Sequence, residues 1–348
     1  MSKKGIVKFG FIGLGRRGLR HLKVASKFEA ASIKALCDLD ESRIREEARI
    51  HGAGAYTSLD EMLEREQLDV VVIATPTPLH ASQTLRCLEE GVHVLLEKPI
   101  ALEMSEVKRL LEAVKRSDRM VVVGFQSRYS EIVEKFKENV DADTLSMVAG
   151  YWYWTIPLVR WVALRSQGGG QIVDQAIHLI DIARFIVGDD VEKVYAIYTE
   201  RGRDTEEDKS LGFENWASYS VSFKFENGVI GNIYSTYALY PEIFRDKKTV
   251  GEPPVCIDAI CRDLLVRYIH MKETKVYRRG EETEVYRLKE DPTVNMYSAL
   301  IEAVLTGDRS LIRTPYEDSY RTMAIALAAN RSAVTGEVVD MEGFIEEG

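Results

Sequence analysis

A carboxylate and an imidazole follow a run of three glycines in the second half of the chain. After Gly168-Gly169-Gly170, a flexible approach, the sequence has helical spacing, with Asp174, His178 and then Asp181. Residues four apart share a helix face, so the carboxylate can orient the ring while the imidazole accepts a proton from an alcohol. The alternative is a solvated or core-satisfied pair that does no chemistry.

A lysine at the end of a strand is the second candidate group. The apolar run 92–96 predicts a parallel strand that ends in Glu97-Lys98-Pro99, an unusual place for a merely solvated cation. The buried run 68–74 predicts another strand, and the prolines of the loop 75–80 favour an extended backbone there. Because the carboxyl ends of parallel strands meet at one edge of a sheet, we expect both loops at that edge.

A glycine-rich turn near the N-terminus predicts a nucleotide site. Gly13, Gly15 and Gly18 follow the apolar run 7–12 and open a helix, and the next strand ends in Asp38. The three glycines serve the tight turn, the approach to a pyrophosphate and the close packing of the helix on the sheet. The carboxylate, 20 residues after Gly18, would bind the adenosine ribose and repel a 2′-phosphate, which favours NAD over NADP.

The residues around this turn have plainer interpretations as well. Arg16 and Arg17 could steady a phosphate at the helix start or could simply be solvated. Without the glycines, Asp38 would be interpreted as a strand-end carboxylate that caps a turn. Oxidation of an alcohol by a bound nicotinamide requires a base, because the hydroxyl proton must be removed as the carbon's hydride moves to the nicotinamide ring. His178 could be that base.

Strands and helices alternate through the first 125 residues, which predicts a Rossmann-type, doubly wound parallel sheet as domain 1–125. Residues 126–348 predict a second, α+β domain with an open, mostly antiparallel sheet and helices on one face. Its predicted strands are 145–154, 191–201, 216–226, 229–240, 255–259, 264–271, 274–277 and 282–288. Asn227-Gly228 predicts a hairpin turn, and the charged stretch 201–212 a mobile loop. The uncovered sheet face predicts a homodimer or homotetramer.

Composition excludes several classes of protein. The net charge is −9 without a compensating basic block, which excludes nucleic acid as a partner. No run of about eighteen apolar residues predicts a membrane span, and the N-terminus runs into the first strand without a signal region. The four cysteines lack the spacing of a metal site or a disulfide framework, so we expect no metal and a cytoplasmic protein with reduced thiols.

Taken together, these motifs resemble the Gfo/Idh/MocA oxidoreductase family, which includes glucose-fructose oxidoreductase and inositol dehydrogenases. The resemblance follows the glycine turn with Asp38, then Ala74-Thr75-Pro76 with His80, then Glu97-Lys98-Pro99, and finally the Asp174 and His178 pair. It runs in order through about the first 190 residues, and beyond them it is one of architecture. The Glu-Lys-Pro turn followed by the Asp and His pair is far more specific than the glycine fingerprint.

The resemblance implies roles for the residues of the candidate site. Lys98 would lie beside the nicotinamide and polarise the reacting oxygen, with His178 as the proton acceptor. Asp174 would orient that histidine or bind a neighbouring hydroxyl. Glu97 would contact the cofactor, and Pro99 would shape the turn after a cis peptide.

Five further residues receive binding roles from the same resemblance. Thr75, Pro76 and His80 would line the cofactor pocket. Arg128 and Trp161 fall where the family often places substrate contacts. A surface cation and a core aromatic are the respective alternatives for these two.

The expected function is therefore NAD-dependent oxidation of a secondary alcohol on a sugar, cyclitol or related polyol. A redox-assisted glycosidase, in which tightly held NAD is regenerated in each cycle, is a rival within enzymology. A ligand-sensing regulator that keeps the fold and the nucleotide but lacks the chemistry is a rival of another class. The presence of Lys98, Asp174 and His178 argues against the regulator, since a sensor has no evident need for all three.

Overall fold

The computed structural model describes residues 5–155, 160–203, 205–210, 212–239 and 254–348. The chain forms two compact units. The first comprises the described residues of Met1–Ala101, Ser105–Tyr129 and Glu290–Tyr320, and the second those of Leu102–Met104, Ser130–Lys289 and Arg321–Gly348. This division differs from the predicted boundary after residue 125, because a late segment of the chain packs with the N-terminal unit.

The first unit alternates strands and helices, and α5 starts at the boundary between the units. Its elements are β1 (Val7–Ile12), α1 (Arg16–Ala25), β2 (Ala31–Cys37), α2 (Glu41–His51), β3 (Gly54–Tyr56), α3 (Leu59–Arg65), β4 (Val70–Ile73), α4 (His80–Glu89), β5 (His93–Leu96), α5 (Met104–Arg116) and β6 (Val121–Val123), with 3₁₀ turns at Thr77–Leu79 and Gln126–Tyr129. Strands β1, β4, β5 and β6 are short and almost wholly buried, as expected of a parallel sheet covered on both faces, whereas the edge strand β3 has no fully buried residue.

The six strands of this unit are all parallel, in the order β3-β2-β1-β4-β5-β6. The order reverses between β1 and β4, so the loops that follow these two strands flank a crevice at the carboxyl edge. This is the predicted doubly wound Rossmann sheet. It brings the glycine turn and the loop after β4 to one edge.

Residues 290–320 contribute α12 (Pro292–Thr306) and a 3₁₀ turn, Arg309–Leu311, to the first unit. Asp291 caps the start of α12, and Gly307 ends it in a left-handed conformation. Its buried side chains, Met296 and Tyr297 among them, join the core around Phe9, and the rings of Phe9 and Tyr297 lie 5.9 Å apart. The apolar face of α12 is therefore part of the N-terminal core.

The second unit is built mainly of strands, and α13 starts in the first unit. Its elements are α6 (Glu131–Asn139), β7 (Met147–Thr155), α7 (Arg160–Ala163), α8 (Arg165–Gly168), α9 (Gln171–Asp174), α10 (Ile177–Val187), β8 (Val191–Thr199), α11 (Glu206–Ser210), β9 (Ser218–Phe225), β10 (Ile230–Leu239), β11 (Val255–Ile260), β12 (Leu264–Ile269), β13 (Glu273–Arg278), β14 (Glu284–Arg287), α13 (Tyr316–Thr335), β15 (Val339–Asp340) and α14 (Met341–Glu347).

The strands of the second unit form one sheet in the order β14-β13-β12-β11-β7-β10-β9-β8-β15. Strands β7 and β10 pair in parallel, and the remaining pairs are antiparallel. Along β10 and β8, buried and outward-facing residues largely alternate. One face is therefore covered, and the other carries exposed apolar side chains, as predicted.

The charged stretch 201–212 is more ordered than the sequence predicted. The stretch 201–212 was expected to be a mobile loop, but it contains α11 and a buried ion pair between Arg203 Nη1 and Asp208 Oδ1, at 2.9 Å. Asp204 and Leu211 of that stretch, and Tyr240 at the end of the predicted strand 229–240, lie outside the described residues.

Every helix in the described part of the chain is too short or too polar to span a bilayer.

Candidate active site

The backbone of the glycine turn after β1 restricts which residues can occupy it. Gly13 has φ +84°, and a Cβ there would lie 2.7 Å from the Ala74 backbone. A Cβ on Gly18 would lie 1.8 Å from the Gly13 carbonyl oxygen, whereas one on Gly15 would meet nothing within 4 Å. The backbone therefore needs glycine at two positions for its own packing. At Gly15 there is open space, which is what a pyrophosphate approaching the start of α1 requires.

Asp38 is held at the end of β2 beside this turn. Its Oδ2 accepts from the Leu14 N–H at 2.5 Å and its Oδ1 from the Asp40 N–H at 3.0 Å. Arg43 Nη1 lies 3.6 Å from Oδ2. Each carboxylate oxygen has a second lone-pair site, so this arrangement fixes the carboxylate and leaves acceptor capacity for ribose hydroxyls.

Glu97 lies in a buried polar network instead of at the surface of the crevice. Its side chain is 4% exposed. Oε1 accepts from His21 Nε2 at 2.7 Å and from Gln126 Nε2 at 3.0 Å, and Arg17 Nε lies 3.8 Å away. The other ring nitrogen of His21, Nδ1, lies 3.1 Å from the Tyr297 hydroxyl. The contact of Glu97 with the cofactor remains a prediction. The partners of Glu97 in the structure are side chains of the first unit.

The charges around Glu97 decide its ionisation. Burial alone would raise its pKa, but the Arg17 charge, the His21 hydrogen bond and the Lys98 charge together hold the pKa well below its usual value of 4.5. The carboxylate therefore stays ionised. Arg17, at the start of α1, is thereby drawn toward the strand that carries the Glu-Lys-Pro turn, while Arg16 is exposed.

The turn that carries Lys98 is fixed from two sides. The Lys98 N–H donates to Glu97 Oε2 at 3.2 Å, and the Lys98–Pro99 peptide is cis, as predicted. His80 is buried, with Nδ1 2.8 Å from the Pro99 carbonyl oxygen and Nε2 2.9 Å from that of Thr75. Burial lowers the pKa of His80. Its ring thus joins the loop after β4 to the turn after β5, and the half-buried Lys98 is carried between fixed neighbours.

The loop after β4 contains the other two residues that were expected to line the cofactor pocket. Thr75 is half-buried, and its hydroxyl donates to Gln83 Oε1 at 2.7 Å. Pro76 is exposed. Both lie in the loop that follows β4, at the carboxyl edge of the sheet next to the glycine turn.

Arg128 and Trp161, the predicted substrate contacts, have different surroundings. Arg128 is 5% exposed, and its Nη1 donates to Asp318 Oδ2 at 2.5 Å. It is not the surface cation that was the alternative interpretation, because its buried side chain pairs with the partly exposed Asp318 and ties the Gln126–Tyr129 turn to the start of α13. Trp161 is half-buried in α7. Substrate binding by either residue remains a prediction.

The glycine run before α9 is held in place, in contrast to the expected flexible approach. Gly169 and Gly170 have φ +76° and +86°, and a Cβ on Gly170 would lie 2.6 Å from the Tyr219 hydroxyl. Asn330 Nδ2 donates to the Gly169 carbonyl at 2.8 Å, and the Tyr219 hydroxyl donates to Asn330 Oδ1 at 3.1 Å. The left-handed backbone at both positions, with Val173 beside Gly169 and the Tyr219 hydroxyl beside Gly170, explains why they need glycine.

The helix predicted to carry both Asp174 and His178 is interrupted between them. Helix α9 ends at Asp174, and α10 begins at Ile177 after Gln175, whose φ and ψ are −111° and −55°. The expectation of one continuous helix face is therefore wrong. Asp181, expected on the same face, is buried and accepts from Thr322 Oγ1 at 3.1 Å, which is a core contact.

Asp174 faces a buried tyrosine that the sequence did not single out. The Tyr237 hydroxyl donates to Asp174 Oδ2 at 3.4 Å. Burial, and then the Asp174 charge, raise the pKa of Tyr237 well above its usual value, so the phenol stays a donor. Arg203 Nε donates to the Tyr237 carbonyl at 2.9 Å.

Arg203 is in turn paired with the buried carboxylate of Asp208. Burial alone would raise the pKa of Asp208, but hydrogen bonds from Thr205 and Arg203 hold this pKa below its usual value.

His178 is surrounded by aromatic rings. It is 6% exposed and stacks on Trp152, with ring centroids 5.9 Å apart. The ring of His270 lies 6.1 Å from His178 and 5.1 Å from the same indole. Sequence reasoning missed Trp152, Tyr237 and His270, because a strand residue gains this kind of neighbour only when distant strands pair. Trp152 and Tyr237 lie inside β7 and β10, and His270 directly follows β12, so no local pattern marks the three as neighbours of the candidate site.

Comparison with known proteins decides the family. Residues 7–125 match the model of the Gfo/Idh/MocA oxidoreductase family with an NAD-binding Rossmann fold, and residues 143–249 match the Gfo/Idh/MocA C-terminal domain. The chain belongs to this family. The resemblance inferred from its motifs is confirmed, and the chain is an NAD-dependent oxidoreductase.

Relatives within the Gfo/Idh/MocA family are named dehydrogenases. Myo-inositol 2-dehydrogenase of Thermotoga maritima is 28% identical over 65% of this chain and 67% of its own. Inositol 2-dehydrogenase of Rubrobacter xylanophilus is 28% identical over 72% of both chains. The solved structure of the WlbA dehydrogenase from Bordetella pertussis, in complex with NADH and UDP-GlcNAcA, covers 96% of this chain and 98% of its own with a TM-score of 0.78. At 24% identity, that last match speaks for the fold alone.

The first unit fits the dinucleotide that the family binds. The space at Gly15, the first turn of α1 and the fixed Asp38 carboxylate suit a diphosphate and an adenosine ribose in turn. When bound, the nicotinamide accepts a hydride at its C4 position.

Proposed function

We propose that the protein is an NAD-dependent dehydrogenase of a secondary alcohol on a cyclitol, sugar or related polyol. The observation that carries this proposal is the fixed turn at Lys98, which holds an ammonium at the carboxyl edge of a nucleotide-binding sheet. The names of the inositol dehydrogenases among its relatives support the substrate class.

In the proposed reaction, the chain's own residues handle the hydroxyl. His178 accepts the hydroxyl proton, the C–H bond breaks with its electron pair leaving as hydride, and the oxygen becomes a carbonyl. Lys98 stabilises the negative charge that develops on that oxygen. Asp174, fixed by Tyr237, orients His178 or binds a neighbouring hydroxyl.

The cofactor contacts that we propose follow from the first unit. The N–H groups at the start of α1 would bind the diphosphate, with Arg16 and Arg17 beside them. Asp38 would accept from the ribose hydroxyls and disfavour a 2′-phosphate. Thr75 and Pro76 would lie along the nicotinamide half.

The test is NADH formation, followed by absorbance, across a panel of cyclitols, polyols, sugars and nucleotide sugars. We expect stoichiometric reduction of added NAD with at least one cyclitol or polyol. Bond cleavage of a glycoside without net reduction of NAD would indicate the redox-assisted glycosidase. Tight binding of NAD and polyol without any turnover would indicate the sensing regulator.

We also propose that a second copy of the chain covers the outer face of the second unit's sheet, in a homodimer or homotetramer. That face exposes large side chains in neighbouring strands, which single soluble domains rarely leave open. The contributing residues are Tyr153, Tyr195, Ile197, Ile230 and Tyr234.

Changing Ile197 to glutamate is expected to shift the chain toward monomer, because the new charge would have to be desolvated in the interface. Ile197 is 53% exposed, and Ile50 on α2, at 58%, offers a matched control in the first unit. Light scattering after size-exclusion chromatography should give a smaller mass for Ile197→Glu only. Equal masses for wild type, Ile197→Glu and Ile50→Glu would contradict this interface.

A cytoplasmic location is the corresponding proposal for the compartment. All four cysteines, Cys37, Cys87, Cys256 and Cys261, are buried with free thiols. Chains with reduced, buried thiols and no disulfides are typical of reducing compartments.

A further inference from the structure

The ring of His270 is part of the surroundings of the proposed catalytic histidine. His178, Trp152 and His270 all belong to the second unit, and the indole lies against both imidazoles, with centroids 5.9 and 5.1 Å away. The two imidazole centroids are 6.1 Å apart. A sugar-sized molecule bound at His178 would therefore also lie close to the imidazole of His270.

Hydrogen bonds fix the position of His270 at the end of β12. Its backbone N–H donates to the Val255 carbonyl at 3.2 Å, and its Nδ1 lies 3.3 Å from the Tyr268 hydroxyl. Tyr268 is fully buried, so this partner cannot swing away. The ring is half-buried and held in one orientation.

The next residue is strained. Met271 has φ +53°, the only positive φ at a residue other than glycine within the described ranges. Its N–H donates to the same Tyr268 hydroxyl, at 3.3 Å. Backbone in this region costs about 1–3 kcal/mol for an ordinary side chain and tends to occur at binding and catalytic sites. The Tyr268 hydroxyl therefore contacts both the His270 ring and the backbone of the tight β12–β13 turn.

From these contacts we infer that His270 is a specificity-determining residue that binds a second hydroxyl of the polyol, beside the one that reacts at His178. The Tyr268 hydroxyl accepts from the Met271 N–H and lies 3.3 Å from His270 Nδ1, so it holds the ring and the following backbone together. An imidazole nitrogen can donate to a hydroxyl oxygen or accept a hydroxyl proton, depending on the tautomer. His270 binds a hydroxyl that keeps its proton, whereas His178 accepts the proton of the hydroxyl that reacts.

This division of roles suits a substrate with several hydroxyls. One hydroxyl loses its proton to His178, and its neighbour on the ring is hydrogen-bonded to His270. Trp152 lies against both imidazoles and adds an apolar wall to this cluster, the kind of surface that the C–H face of a sugar or cyclitol ring contacts. The inference rests on the proposed function and adds to it that one non-reacting hydroxyl is recognised.

The experiment compares the best substrate of the panel with its monodeoxy analogues. His270→Phe keeps a ring against Trp152 and removes both nitrogens, and His270→Gln restores an N–H donor. For His270→Phe we expect kcat/KM for the parent polyol to fall about 10- to 100-fold, the worth of one to two hydrogen bonds. The deficit should disappear for one analogue only, the one that lacks the hydroxyl in question, and His270→Gln should recover part of the activity.

The controls separate this inference from the proposed function. His51→Phe, the same substitution on α2, should leave the selectivity among analogues unchanged, and NADH affinity should be unaffected in every variant. If the wild type oxidises no polyol, the proposed function fails and the inference fails with it. If the wild type is active but His270→Phe loses activity equally on the parent and all analogues, or loses none, only the inference is overturned.

Discussion

Replacing His178 by phenylalanine is expected to lower kcat for polyol oxidation by about 10²- to 10⁴-fold, the usual contribution of a positioned general base. The phenyl ring keeps the stacking on Trp152, where the imidazole now lies with centroids 5.9 Å apart. What is lost is the imidazole nitrogen that we propose accepts the hydroxyl proton. NADH formation under saturating NAD and substrate measures the loss.

Lys98→Met tests the other half of the same chemistry. The methionine keeps the aliphatic stem and removes the charge that would stabilise the reacting oxygen, so kcat should fall about 10²- to 10³-fold. Because both groups are proposed to act on one hydroxyl, we expect the double variant to be less impaired than the product of the single effects.

Cofactor binding distinguishes lost chemistry from lost structure in these variants. His178 and Lys98 are proposed to act on the alcohol, so NAD affinity, measured by calorimetry, should stay within a few-fold of wild type. His51→Phe and Lys34→Met, the same substitutions at positions outside the candidate site, should retain normal turnover. Near-normal kcat in either His178→Phe or Lys98→Met would refute the assigned roles.

The second large effect is expected at Glu97, and it concerns stability. Glu97→Leu leaves His21, Gln126 and the Lys98 N–H without their shared acceptor in a buried site. Breaking such a buried charged network costs about 3–5 kcal/mol of the free energy of unfolding. Urea unfolding of wild type and Glu97→Leu at neutral pH measures this loss in the free energy of unfolding. Glu46→Leu, an exposed position on α2, should change stability by only about 0.5 kcal/mol or less.

The pH dependence of the same effect has a definite sign. The pKa of Glu97 is held below its usual value of 4.5 in the folded chain. A depressed pKa stabilises the fold fully above the unfolded value, and the stabilisation is lost as the pH falls below it. The stability difference between wild type and Glu97→Gln should therefore be constant near neutral pH and shrink below about pH 4.5. A difference that grows on acidification would show that Glu97 is protonated in the native state.

Much of this fold follows from local patterns along the chain. Continuous apolar runs ending in loops predict the parallel sheet, and alternation predicts the strands of the second unit. The apolar runs 7–12 and 68–74 contain the observed strands β1, Val7–Ile12, and β4, Val70–Ile73. The site motifs are equally local, because Gly13, Lys98 and His178 each lie in a short stretch with characteristic chemistry.

What the sequence did not predict depends on pairs that are distant along the chain. His21 and Tyr297 are 276 residues apart, and Arg128 and Asp318 are 190 apart. Periodicity contains no information about which distant residue will neutralise a buried charge. For the same reason Arg128 could be considered a surface cation, and residues 290–320 were assigned to the C-terminal domain.

The return of α12 to the N-terminal core bears on how the protein is made. The first unit leaves off at Tyr129 and resumes at Glu290, and a ribosome adding about 5–20 residues per second needs roughly 8–30 s for the roughly 160 residues between. Throughout that interval the nascent sheet lacks the side chains of Met296, Tyr297 and Leu300 that cover it. The core of the first unit is therefore completed after translation or close to its end. A chain halted before residue 290 would expose hydrophobic surface that chaperones recognise.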